Sequence, residues 1–294
     1  MISRTLALLA FVGASAFSFT SAQSDTLERR ILFVSMRDGL EDIYSMNPDG
    51  SDVRRLTETT GEDRGSRVPA WSPDGTRVVF ASNRDDGGAT NLYVMSADGS
   101  NLSRLTDHDG WDYVPDWSPD GNKIAFMSNR DGPPEIYLMD ADGSNVERLT
   151  FLEKGSNLLC CPDWSPDGTM IAFHAVGEGA GFQIHVMDAD GGNMRVLGRG
   201  APPRWSPDGS RIAFVDQFQT HVMNADGSER IKLTAVEGRA MYPVWSPDGS
   251  KIAFTFLPRG GGIEGSEIYV METDGSNATA LTSNQAFDGH AYWW

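Results

Sequence analysis

The chain has 294 residues and a formal net charge of −17 at pH 7, from 24 basic and 41 acidic side chains. So acidic a protein repels nucleic acid and anionic lipid surfaces, and it lacks the basic stripes such partners need. The 32 glycines, 15 prolines and 8 tryptophans favour many short strands joined by tight turns.

Met1–Ala22 reads as a targeting segment. Arg4 supplies a positive start, Leu6–Phe17 is an apolar run, and Thr20-Ser21-Ala22 offers small residues for cleavage. The run is too short for a spanning helix, and no cysteine stands at the cut to carry a lipid. An exported, soluble product of residues 23–294 is therefore expected, periplasmic or secreted.

Arg30-Ile31-Leu32-Phe33-Val34-Ser35 is the first predicted strand, followed by Asp42-Ile43-Tyr44-Ser45-Met46, the turn Asn47-Pro48-Asp49-Gly50 and Arg54-Arg55-Leu56-Thr57. The same order then recurs. Each later round opens on Trp-Ser-Pro-Asp-Gly, starting at Trp71, Trp117, Trp164, Trp205 and Trp245, at intervals of 46, 47, 41 and 40 residues. A near-constant period of this length marks a repeat architecture. Ser, Pro, Asp and Gly in that order suit a type I turn, and an apolar run such as Lys123-Ile124-Ala125-Phe126 leaves each turn as a strand. The Ile-Tyr-type strand occurs six times but the Trp corner only five. The missing piece is at the C-terminus, where Ala291-Tyr292-Trp293-Trp294 aligns with Val68-Pro69-Ala70-Trp71. Six four-stranded units, with the first closed by the last residues, make an all-β, six-bladed β-propeller whose sheets keep few free edges. The strand before each Trp is expected to be innermost, since Pro69, Pro115, Pro162, Pro203 and Pro243 lack an N–H and suit a strand with one free edge. The tryptophans are expected to be packing plates between blades.

The Trp-Ser-Pro-Asp-Gly corner, the Ile-Tyr-Val-Met strand, the Asp-Gly-Ser-Asn turn and the Arg-Leu-Thr strand resemble the repeats of TolB-type propellers. The resemblance spans nearly all of residues 30–294. Related repeats occur in the periplasmic Tol-Pal component, in the propellers of prolyl-oligopeptidase-type peptidases and in some pectin-fragment lyases. The Tol-Pal protein carries an N-terminal α/β domain, whereas only a few residues here separate the targeting segment from the first strand. The peptidases need a Gly-x-Ser-x-Gly elbow on a hydrolase domain, and this chain has neither.

The lyases hold a metal with several histidines. Of the five here, His185 and His221 stand at the Tyr position of the Ile-Tyr strand, where blade packing explains them. His174 stands where Ser35, Ser82 and Ser128 end the second strands of blades 1 to 3, and His108 and His290 fall in loops entering innermost strands. No His-x-His or Glu-x-x-His spacing marks a site, so no metal, cofactor or catalytic residue is expected. Asp107–Asp112 lacks most of a calcium loop and reads as a solvated loop. Pro258–Gly265 is Gly-rich without a phosphate-binding Lys and reads as a hairpin loop. Cys160 and Cys161 are adjacent. On an extended strand they would point to opposite faces, which predicts free thiols with Cys161 the more buried.

The loops entering the innermost strands share one face with the loops between second and third strands, and that face carries the irregular lengths. Phe151–Leu159 is long, Gly198–Ala201 is short, and only blades 1 to 3 keep an Arg-Asp loop (Arg37-Asp38, Arg84-Asp85, Arg130-Asp131). The positions four residues before each Trp form a ring at this mouth: Arg67, Tyr113, Cys160, Ala201, Met241 and, by the C-terminal match, His290. With Trp111, Asp112 and Tyr242 nearby, aromatic and Arg groups suit a protein or peptide ligand. The expected site is therefore Arg67, Trp111, Asp112, Tyr113, Tyr242 and His290, on a monomeric, non-enzymatic propeller whose partner is a periplasmic or cell-envelope protein or peptide. A carbohydrate-active lyase or hydrolase on the same face is the alternative.

Overall fold

Each Trp-Ser-Pro-Asp-Gly corner closes as the type I turn its residues favour. In the first, the Gly75 amide donates to the Ser72 carbonyl at 2.8 Å, while the Ser72 hydroxyl accepts the Arg77 amide and donates to Asp74. The structure, a computed structural model, describes residues 29–60, 65–85, 88–151, 160–177 and 181–294. The targeting segment and most of the Phe151–Leu159 loop lie outside these residues. Among the described residues, no helix is long and apolar enough to cross a membrane.

Six antiparallel four-stranded sheets follow one another as blades. The innermost strands of blades 2 to 6 are Ser66–Trp71, Asp112–Trp117, Cys160–Trp164, Arg204–Trp205 and Gly238–Trp245. Blade 1 takes its innermost strand, Asp288–Trp293, from the C-terminus, and pairs it with Ile31–Ser35, then Asp42–Met46 and Arg54–Arg55. Ring closure by both termini is thus present, with a correction of one residue. Ile31 pairs with Trp293 as Val78 pairs with Trp71, so Trp293 is the blade 1 plate. Trp294 reaches onto the next blade: its indole N–H donates to the Pro73 carbonyl at 3.1 Å and its ring lies 6.2 Å from Trp71.

The core is six apolar clusters between blades. Trp117 packs with Ala70, Val79 and Leu92 of blade 2, and Trp293 with Val244, Ala253 and Ile268 of blade 6. The tryptophans are inter-blade plates, as expected. The Asp-Gly turns serve the same joints. At Gly143 (φ +89°), a Cβ would stand 2.5 Å from the Leu105 carbonyl of the preceding blade, and the equivalent turn glycine of every other blade meets a leucine carbonyl in the same way. Only glycine satisfies both that backbone and that approach.

Every proline two residues before an inter-blade Trp in blades 2, 3, 4 and 6 falls in an irregularity of the innermost strand, between the last regular pair and the Trp pair. The residue before it is left-handed: Val68, Val114, Cys161 and Tyr242 have φ between 47° and 63°. A bulge frees one residue from the ladder, so a missing N–H costs nothing there. In blade 1 the left-handed residue is His290 (φ 54°).

Candidate functional site

Each innermost strand leaves one edge facing the channel, and buried polar groups cover part of it. Asp116 Oδ2 accepts the Trp164 amide at 2.9 Å and Asp163 Oδ2 accepts the Trp205 amide at 2.6 Å, so each carboxylate caps the strand of the next blade. Arg204 donates to Asp163 at 3.1 Å, and the Tyr292 hydroxyl donates to Asp116 at 2.9 Å. Arg204 and Tyr292 are shared by two cavities. One, of about 490 Å³, opens among the Trp-Ser-Pro corners; the other, of about 140 Å³, lies toward the irregular face. The four side chains therefore partition the channel.

Two carboxyls share one guanidinium here, and the pKa directions follow. Burial pushes Asp163 up to about 7, with Arg204 opposing the shift and Asp116 adding to it. Burial raises Asp116 as well. Burial disfavours the Arg204 charge, but Asp163 and Asp116 outweigh it and hold the guanidinium protonated.

Above this partition, Tyr113, Tyr242 and His290 line the smaller cavity with Cys160 and Cys161. Tyr242 and His290 occupy the same left-handed position in neighbouring blades, and their rings stand 4.2 Å apart. Burial pushes Tyr113 up to about 12, partly relieved by Arg67. Burial, with repulsion from Arg67 and Arg204, brings His290 down to about 4, so its ring is neutral at pH 7.

Three of the six expected site residues thus meet at the mouth. Arg67 interacts with Tyr113 and pairs with Glu41. Trp111 lines neither channel cavity; it is 36% exposed, with its amide held by Asn129 Oδ1 at 2.8 Å. Asp112 is fully buried and faces Arg130, which donates to both its oxygens at 3.0 and 2.9 Å. Arg130 also lies over Phe126 and Tyr137, whose hydroxyl donates to Asp131 at 2.6 Å. Asp112 is therefore part of a clamp closing blade 3. The Arg-Asp loops of blades 1 and 2 repeat it, with Arg37 on Asp288 and Arg84 on Ser66.

The register at the termini and in blade 4 moves two histidines. With Trp293 as the plate, the residue four positions earlier is Gly289, and His290 belongs to the left-handed ring instead. His174 pairs with Cys160 as Ala81 pairs with Arg67 and Met127 with Tyr113, so it stands at the Ala81 position and not at that of Ser82. His108 accepts the Gly110 amide within its own loop and lines neither channel cavity. His185 and His221 stack on Phe173 and Phe214 at ring distances of 5.2 and 5.5 Å, as packing predicts.

Outward from the mouth, a groove of about 460 Å³ runs among blades 4, 5 and 6 and shares Cys160, Cys161, Pro202 and Tyr242 with the smaller cavity. Its walls include Phe182 and Phe218, 44% and 53% exposed. Cys160 and Cys161 are free thiols. Both are half-buried, and they share these cavities instead of facing opposite ways, because the left-handed backbone at Cys161 (φ 63°) turns its side chain. No motif in the sequence announced that bulge; the proline following Cys161 was its one sign.

A family model described as the TolB beta propeller domain matches residues 62–202 and 177–294. TolB from Acinetobacter baumannii is 23% identical with a TM-score of 0.76, over 90% of this chain and 66% of that one. A chain of the nidogen/laminin complex is 12% identical with a TM-score of 0.73, over 90% of this chain and 98% of that one. Oligogalacturonate lyase from Vibrio parahaemolyticus is 17% identical with a TM-score of 0.56, over 86% and 72%.

Proposed function

We propose, from the premise that the chain belongs to the TolB beta propeller domain family, that it is an exported, non-enzymatic propeller that binds a protein or peptide of the cell envelope through its irregular face. The observation that carries this reading is the continuous depression from the Tyr113–Tyr242–His290 mouth into the groove walled by Phe182 and Phe218. Large, partly exposed aromatic groups over an apolar floor are the groups that concentrate binding energy at protein interfaces. Their depth suits an extended segment with an apolar anchor. The acidic surface favours a partner that is neutral or basic around that anchor.

The lyase alternative requires converging histidines. His108 is engaged within its own loop, while His174 and His290 line different cavities, so the binding reading is the better supported.

Capture from a periplasmic extract tests it. Tyr113→Ala and Phe218→Ala should each weaken a retained partner by about 2 kcal/mol or more. Ser144→Ala and Ser228→Ala, in the turns of the opposite face, should change binding by less than roughly 0.5 kcal/mol. Loss of the partner through the turn variants alone would invert the assignment of the face. Metal-dependent cleavage of an acidic oligosaccharide, with no protein retained, would replace the reading with the enzymatic one.

A further inference from the structure

Where the smaller cavity meets the groove, three donors converge that no sequence motif links. Cys160 and His174 are directly opposed across the first two strands of blade 4, and such partners share a face. The bulge turns Cys161 into the same space. One donor atom from each of Cys160, Cys161 and His174 lies within 4.8 Å of the other two. His174 is only 6% exposed, and its Nδ1 is buried without a hydrogen-bond partner. A buried polar nitrogen left unpaired is costly, and here it stands beside two thiols that open onto a cavity. The ring is held edge-on by Phe182 at 5.2 Å, which fixes its direction.

We infer that Cys160, Cys161 and His174 form a binding site for a thiophilic d10 metal ion, Zn(II) or Cu(I). Two sulfurs and an imidazole nitrogen select soft or borderline cations and reject calcium and magnesium, which take oxygen. Metal binding displaces the thiol protons to solvent. Three protein ligands satisfy Cu(I) and leave Zn(II) a fourth position toward the cavity. The inference is independent of the partner reading above.

The test uses the purified protein, reduced with a phosphine and freed of metal. Co(II), a spectroscopic substitute for Zn(II), should bind at a single equivalent with thiolate-to-metal charge-transfer bands that Zn(II) abolishes. Cu(I) is offered in parallel against a chromophoric chelator, and the arm with the tighter competition identifies the ion. Cys161→Ser and His174→Gln should each lower affinity by about 100-fold or more, since even outer groups of metal sites cost 10- to 100-fold; His108→Gln should leave it unchanged. Should a variant fail to fold, alkylation of the native thiols supplies the same loss, and bound metal should slow that alkylation. Absence of thiolate bands, binding that survives in Cys161→Ser, or a Cys160–Cys161 disulfide in the unreduced protein would each overturn the site.

Discussion

The two halves of the ring solve one packing problem in different ways. In blades 1 to 3, the Phe–Tyr pair of the second and third strands is covered by an arginine. Arg37 and Arg84 each lie 5.1 Å from both rings of their pair, and Arg130 lies 5.3 and 5.1 Å from its two. Each arginine then bonds to the innermost strand, and each tyrosine hydroxyl donates to the aspartate beside that arginine. Blades 4 to 6 lack this loop. His185 and His221 replace the tyrosine in blades 4 and 5, Arg230 reaches the Phe214 ring at 4.4 Å from outside any Arg-Asp loop, and in blade 6 Phe256 meets Tyr269. The clamped half lines the mouth with Tyr113 and His290, whereas the other half holds the groove, the thiols and the exposed Phe182 and Phe218.

The sharpest break in the clamped half is at its seam, where Arg37 grips Asp288 across 251 residues of sequence. Trp293→Ala should cost about 3–5 kcal/mol, the range for a buried aromatic. Trp294→Ala, which removes only a partly buried latch, should cost about 1 kcal/mol. Denaturant unfolding of both variants checks the register. Equal losses would reinstate Trp294 as the plate.

Next in size is the clamp itself. Arg130→Ala strands the fully buried Asp112 carboxylate, and breaking a buried pair from one side costs about 3–5 kcal/mol. Arg84→Ala leaves Ser66, a neutral hydroxyl, and should cost about 1–2 kcal/mol. If the two lose the same amount, the arginines act by ring stacking alone.

How much of this was legible in the sequence depended on repetition. Five identical corners revealed the repeat, six Ile-Tyr-type strands gave the blade number, and the plates and turns followed. Where a repeat was degenerate, alignment slipped by one. The tandem Trp293-Trp294 allows two alignments, and matching Asp288 to Asp112 as the first residue of the strand selects Trp293. Likewise, anchoring blade 4 on Phe173 places His174 at the Ala81 position. Asp112 looked like a mouth residue because its arginine lies 18 positions away. The partition of Asp116, Asp163, Arg204 and Tyr292 is hidden because the position before the plate Trp varies around the ring, from Ala70 and Val244 to Asp, Arg and Tyr.

The partition joins the two halves, Tyr292 and Asp116 from the clamped one and Asp163 and Arg204 from the open one, and its titration is the third test. The folded pKa of Asp163 is raised from the usual 3.8 to about 7. A raised carboxyl contributes stability that is full below the unfolded pKa and is lost as pH rises through the folded one. Wild-type protein should therefore weaken, relative to Asp163→Asn, from about pH 4 to about pH 7, by on the order of a few kcal/mol. His290, lowered to about 4, acts oppositely, losing stability as pH falls from 6.5, but it is common to both proteins and cancels in the difference. Parallel melting curves across that range would show Asp163 ionised throughout.

The smallest effect concerns the substituted rings. His185 occupies the position that tyrosine fills in blades 1 to 3, stacked on Phe173 at an interplanar angle of 15°, with its Nε2 buried and unpartnered. Burial, then the nearby His174, lowers its pKa. A lowered histidine contributes stability above the unfolded value near 6.5 and loses it as pH falls toward the folded one. His185→Phe keeps the stack and removes both the proton site and the unpaired nitrogen. At pH 8 the variant should match or slightly exceed wild type, within about 1 kcal/mol. Below pH 6 its advantage should grow, because only the wild type must keep a histidine neutral against the solvent. His221→Phe is the control in blade 5: the His221 ring takes the Gln219 carbonyl as a partner at 2.9 Å, so the same change there removes a hydrogen bond and should destabilise at pH 8. Melting temperatures of the two variants at pH 5 and pH 8 separate the cases. If both gain alike on acidification, the histidines are interchangeable ring fillers, and the open half differs from the clamped half only in its missing Arg-Asp loops.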